Sequence, residues 1–132
     1  TDARDGGDGD DFLYGGGNGD TLTGGLGADR YVYEVTTDSN GNNSSSRDTI
    51  TNFEEAVVGE QIDLSAIDGS SAAGFQHLMF GGQNASVVAN SVTWSQSGGN
   101  TLIQIDTNGS VGAEMTILLT GLHTLTANDF VL

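Results

Sequence analysis

The chain has no cysteine, no proline and no lysine, and its only cations are Arg4, Arg30 and Arg47. Each absence narrows the reading. Without cysteine there is no disulfide framework, so a small secreted domain needs another staple, and a bound metal is the usual one. Eighteen acids against three cations give a net charge of −15. Nucleic acid and anionic membrane surfaces both call for a basic face, so neither is an expected partner. No apolar run is long enough to cross a bilayer, and membrane insertion is not expected. No N-terminal signal peptide is read. The chain opens in mid-repeat, as a fragment of something longer would. No stretch keeps an amphipathic helical period for a dozen residues, and the lack of proline suits a strand-rich chain without deciding it. Catalytic signatures are missing too: there is no His-Glu-x-x-His, no Gly-x-Ser-x-Gly and no cysteine nucleophile.

Glycine and aspartate are abundant, and they are ordered. Three nine-residue units run from Gly6 to Tyr14, Gly15 to Thr23 and Gly24 to Val32. Each fits Gly-Gly-x-Gly/Asn-x-Asp-x-apolar-x. Gly6, Gly7, Asp8, Gly9 and Asp11 open the first unit. Gly15, Gly16, Gly17, Asn18 and Asp20 open the second, and Gly24, Gly25, Leu26, Gly27 and Asp29 the third. Glycine takes positive φ at little cost, and Asn18, at the fourth position, is the best substitute. The first six residues therefore predict a tight turn with inward carbonyls. The last three predict a short strand that aligns Leu13, Leu22 and Tyr31 on one interior face.

Two units make one coil, and alternate turns stack about 4.8 Å apart. A cation fits between stacked turns, held by backbone carbonyls and one carboxylate from each. Hard oxygen ligands of this kind point to calcium. Asp2, Asp11, Asp20, Asp29 and Asp38 share the nine-residue register. The stacking pairs Asp11 with Asp29 and sets Asp20 between two turns, for at least two ions and three by preference. A flexible Gly/Asp linker would not keep the apolar residues in register with both glycines and aspartates. Seven acids in the first thirty residues repel one another, and little apolar area offsets the ordering entropy. The segment is expected to stay disordered until divalent ions bind.

Beyond residue 31 short alternating strands follow one another: Asp48–Phe53, Gln61–Ser65, Phe75–Phe80, Val92–Trp94, Thr101–Ile105 and Met115–Leu119. The expected fold is all-β, a parallel β-roll over 1–33 continuing into a β-sandwich-like cap over 34–132.

The nonapeptides resemble the calcium-binding repeats of RTX proteins. Asp48-Thr49-Ile50-Thr51-Asn52-Phe53 followed by Ile62-Asp63-Leu64-Ser65-Ala66-Ile67 is similar to the C-terminal region of serralysin-type metalloproteases and to the R-modules of mannuronan C-5 epimerases. The end, Thr126 to Leu132, is similar to the acidic-then-apolar terminus such proteins present to type I secretion machinery. The resemblance implies calcium ligands at the Gly and Asp positions of each repeat, and a last site using Asp38 and Asp48 beside Asp29. It implies a non-catalytic module, secreted from a Gram-negative bacterium, whose partners are calcium, an upstream domain and a type I exporter. A calcium-dependent module for an alginate-like polysaccharide and the terminal domain of an adhesin are the alternatives, though three cations suit a polyanion poorly.

Asp106-Thr107-Asn108-Gly109-Ser110 spaces oxygens like the front of a calcium loop, but Asn108-Gly109 reads more simply as a hairpin turn. His77 and His123 are lone histidines. Asp63 and Asp68 read as structural rather than as a catalytic pair. Trp94 reads as a packing residue among strands.

Overall fold

The nine-residue period becomes a coil that visits two sheets in turn. In the computed structural model, which describes residues 2–110 and 112–132, strands β1 (Ala3–Asp8), β2 (Phe12–Leu13), β3 (Thr21–Leu26) and β4 (Arg30–Val32) alternate between the sheets. β1 pairs parallel with β3, Ala3 facing Thr21, and β2 pairs parallel with β4, Phe12 facing Arg30. The offset is two repeats in both cases, as one coil per two units requires. A third coil follows through β5 (Asp48–Ile50), which sets Thr49 beside Thr21, and β6 (Gln61–Asp63), which sets Gln61 beside Arg30. Both sheets therefore run without a break across position 33.

The remaining strands are β7 (Met79–Gln83), β8 (Ser91–Ser97), β9 (Asn100–Ile105), β10 (Met115–Thr120) and β11 (Phe130–Val131). β8, β9 and β10 form an antiparallel meander, and β10 lies parallel against β5. The larger sheet has the order β1-β3-β5-β10-β9-β8-β7, and the smaller has β11-β6-β4-β2. The fold is the expected parallel roll running into an all-β cap. The described residues hold no α-helix, only 3-10 turns at Thr36–Ser39 and Ala127–Asp129.

One continuous core fills the space between the sheets. Leu13, Leu22 and Tyr31 are buried, joined by Ile50 and Ile62 from the third coil. In the cap, every second residue of β9 and β10 turns inward, placing Ile103, Ile105, Met115, Ile117 and Leu119 beside Val92 and Trp94. Each such side chain contributes about 1.5–3 kcal/mol by leaving water.

Two features differ from the sequence expectation. β1 and β3 run on through Gly6-Gly7-Asp8 and Gly24-Gly25-Leu26, where only a turn was expected. The missing Cβ atoms explain this: one built on Gly25 would stand 1.9 Å from the Gly7 carbonyl oxygen, so only glycine lets the backbones approach and pair. In the 75–80 segment the strand begins only at Met79. Phe75 instead stacks edge-on against His77 at the surface, with centroids 5.2 Å apart.

Candidate metal centre

The aspartates of the repeats form two ladders, one along each sheet of the roll. On the β1-β3-β5 side, the Asp2 N–H donates to Asp20 Oδ1, and the Asp20 N–H to Asp48 Oδ1 at 2.8 Å. On the β2-β4-β6 side, the Asp11 N–H donates to Asp29 Oδ1 at 2.9 Å, and the Asp29 N–H to Glu60 Oε2 at 2.8 Å. Each carboxylate thus spends one oxygen on the backbone of the coil before it.

The other oxygen is the informative one. Oδ2 of Asp11, Asp29 and Asp48 is buried with no hydrogen-bond partner. A buried carboxylate oxygen left unpaired costs several kcal/mol. These oxygens aim at one recurring place, the first glycine of a repeat. A Cβ on Gly6 would lie 2.5 Å from the Gly24 carbonyl oxygen and 2.9 Å from Asp11 Oδ2. On Gly15 it would lie 2.6 Å from Asp48 Oδ2 and 3.3 Å from Asp20 Oδ2, and on Gly24 2.1 Å from Asp29 Oδ2. Glycine leaves a space edged by carboxylate and, at Gly6, carbonyl oxygen. That donor set fits a hard cation. Among the described residues no three His, Cys, Asp or Glu side chains gather at one point. A rung supplies only two carboxylates, and backbone carbonyls would supply the rest.

The electrostatics agree. Burial, reinforced by the Asp20 and Asp38 charges, pushes Asp48 up to about 7 from an ordinary 3.8, against the opposing bond from the Asp20 N–H. The Tyr33 hydroxyl adjoins Asp48 without hydrogen-bond geometry, and burial, then the Asp48 charge, hold it well above its ordinary value. Burial also raises Glu60, with the Asp29 charge adding to it.

The remaining predicted residues fall as follows. Gly7, Gly16 and Gly25 have φ of 96°, 79° and 107°, and Gly9, Asn18 and Gly27 have 112°, 82° and 128°. The second and fourth positions are thus left-handed in every repeat, Asn18 included. Gly17 is exposed, and Asp8 and Leu26 face each other at the strand ends. Asp2 is exposed beside Arg4. Asp38 caps the 3-10 turn, accepting from the Glu34 and Val35 N–H groups at 3.0 and 3.2 Å. The grouping of Asp38 and Asp48 beside Asp29 is not formed: Asp48 stacks on Asp20, and Glu60 takes the place beside Asp29.

Three participants were given no role by the sequence reading. Asp10 Oδ1 accepts from the Ala28 N–H at 2.8 Å, tying the first turn to the third. Asn52 accepts from Gly24 N–H at 2.8 Å and donates to the Gly25 carbonyl at 3.0 Å. Glu60 is the third. A signal existed for Asn52: Asp20-Thr21-Leu22-Thr23-Gly24 and Asp48-Thr49-Ile50-Thr51-Asn52 are one pattern, one coil apart.

Elsewhere, Asp106 Oδ1 accepts from the N–H groups of Asn90, Asn108 and Gly109, inside the connection between β9 and β10. Val111 of that loop lies outside the described residues. Asp63 and Asp68 accept from the N–H groups of Ser65 and Ser70 in local turns. Trp94 is core.

Stacked nonapeptide turns with a carboxylate on every rung define a parallel β-roll module of the RTX type. The chain belongs to the family described as Peptidase M10 serralysin C terminal, which matches residues 3–132. It is also similar to two solved R-modules of a mannuronan C5-epimerase from Azotobacter vinelandii. The AlgE6R3 subunit is 26% identical, with 98% of this chain and 73% of that one covered at a TM-score of 0.59. The AlgE6R2 subunit is 21% identical, with 98% and 90% covered at 0.60, and shows the shared fold. No curated protein matches the chain.

Proposed function

We propose that this chain is a non-catalytic calcium-binding module that folds on the ion and serves as the C-terminal folding, stabilising and secretion domain of an extracellular bacterial protein. The observation that carries this is the set of buried, partnerless oxygens on Asp11, Asp29 and Asp48, each facing the space beside a first glycine. Calcium would supply positive charge and up to eight oxygen-coordination positions there. Three rungs suit it: Asp2 with Asp20, Asp20 with Asp48, and Asp11 with Asp29.

Binding then becomes folding free energy, as in other metal-coupled folds. Extracellular modules bind calcium at about 10⁻⁴–10⁻³ M, so the roll stays open where calcium is scarce and closes outside the cell. A chain in the open state suits threading through a type I exporter. Recognition of the end segment by that exporter must precede folding, because Phe130 and Val131 pair with Ile62 and Asp63 in the folded module. Among the described residues no helix is long and apolar enough to cross a membrane.

The test is a calcium titration of the whole chain followed by amide spectra. Chelation should collapse signals over the first two coils, and Asp20→Ala, which touches two rungs, should weaken binding most. A well-dispersed spectrum unchanged by thorough chelation would refute the proposal.

A further inference from the structure

Glu60 breaks the rule of the ladders. Asp29 and Asp48 give one oxygen to the preceding coil and leave the second without a partner. Glu60 uses both. Oε2 accepts from the Asp29 N–H at 2.8 Å, and Oε1 accepts from the Tyr31 hydroxyl at 3.2 Å. That hydroxyl also accepts from the Gly24 N–H at 3.1 Å and lies 3.3 Å from Asn52 Oδ1. It has one proton to give. The carboxylate is the stronger acceptor, and Asn52 Oδ1 already receives the Gly24 N–H.

The location matters as much as the bonding. Tyr31 stands in register with Leu13 and Leu22, which end in methyl groups, but its ring carries a hydroxyl further into the turn. That hydroxyl lies 2.6 Å from where a Cβ on Gly24 would be, in the space Asp29 Oδ2 also faces. Beside Gly6 and Gly15 the nearest atoms belong to carboxylates and a carbonyl, with no hydroxyl among them. Glutamate is one methylene longer than aspartate, which lets Glu60 meet both the Asp29 amide and the phenol.

We propose that the rung between Asp29 and Glu60 is closed by the Tyr31 hydroxyl and takes no cation. This rests on the calcium reading and refines it. The β2-β4-β6 ladder then holds an ion between Asp11 and Asp29 alone, and its last rung is bridged by a proton donor belonging to the protein. The last coil on that side is therefore fastened whether or not calcium is present.

The experiment is a calcium titration of the full chain and of Tyr31→Phe, counting ions and following the carboxyl ¹³C shifts of Asp29, Asp48 and Glu60. In the wild type, Asp29 and Asp48 should move on saturation while Glu60 stays still. In Tyr31→Phe, which keeps the ring in the core, one additional ion per chain should bind and Glu60 should begin to move. Movement of Glu60 with Asp29 in the wild type would overturn the proposal, and this arm needs no variant. An unchanged ion count with a silent Glu60 in Tyr31→Phe would overturn it while leaving calcium binding intact. If neither chain takes up calcium, the calcium reading itself falls and this refinement with it.

Discussion

Replacing Asp48 with asparagine removes one charge from a side chain that is 0% exposed, while keeping its shape. The new Oδ1 can still accept the Asp20 N–H, as the carboxylate does at 2.8 Å. Without a cation, burial first and neighbouring charge second hold Asp48 at about 7 instead of 3.8. A carboxyl raised on folding favours the native state fully at low pH. That contribution is lost as pH climbs from the ordinary value through about 7. The displacement corresponds to a ceiling of about 4 kcal/mol, at ~1.4 kcal/mol per tenfold change. Relaxation and water entry reduce this, so a gain of about 1–3 kcal/mol is expected for Asp48→Asn in chelator at pH 8. At pH 5 the gain should shrink, because the wild-type carboxyl is then protonated. In millimolar calcium the order should reverse. The ion loses an anionic ligand from the Asp20–Asp48 rung, and affinity depends on ligand charge. Urea unfolding followed by the fluorescence of buried Trp94 reads both conditions. If Asp48→Asn is destabilising in chelator and calcium alike, the uncompensated-charge argument is wrong.

Gly24→Ala would push a Cβ to 2.1 Å from Asp29 Oδ2 and 2.6 Å from the Tyr31 hydroxyl. It should cost about 1–3 kcal/mol by overpacking while leaving the number of bound ions unchanged, because the Tyr31 hydroxyl already closes that space, and loss of an ion in the titration would show that the space beside Gly24 holds one. Phe130 is buried in β11 against Phe80, with centroids 5.8 Å apart, so Phe130→Ala should cost about 3–5 kcal/mol in urea unfolding, while exposed Leu122→Ala should stay within about 0.5 kcal/mol. Burial is the largest single influence on Glu55 and acts upward, but the bond to His123 Nδ1 at 2.6 Å, the backbone N–H groups of Glu55 and Thr124 and the His123 charge together outweigh it, and the net shift is downward. The stability from that contact is present above the ordinary carboxylate range and is lost as pH falls through the lower folded value. A ¹³C titration placing Glu55 at or above its ordinary value would contradict the pairing.

The legible parts of the fold were those with a strict period. Asp11 and Asp29, Leu13 and Leu22, and the positive φ of Asn18 follow from a nine-residue register, because each coil repeats the same contacts. The third coil was harder to place. Its rungs join residues 28 and 31 apart rather than 18, since the loops before Asp48 and Glu60 interrupt the count. Glu60 stands where the repeat would put aspartate, and nothing local marks the exchange. The extension of β1 and β3 through their glycines was illegible for another reason. Glycine disfavours strand in isolation, and only the facing glycine of the next coil makes the pairing possible. The end segment reads as a signal by composition, yet its register with β6 depends on a pairing across more than sixty residues.

β5 has three residues, and it is held on one side by β3 and on the other by β10, with Thr49 facing both Thr21 and Leu118. This dictates an order of events in time. The meander of β8, β9 and β10 joins neighbours in sequence, so its loop-closure cost is small and it is the natural first structure. β10 then offers an edge to β5, β5 offers one to β3, and β3 to β1. The hypothesis is that assembly travels against the direction of the chain, from the last strands toward the first coil. Pulse-labelled hydrogen exchange should protect the Ile117 amide before Thr49, and Thr49 before Thr21; simultaneous protection of all three would exclude a templated sequence. On this account the first coil, the most acidic and least buried, is the last to close.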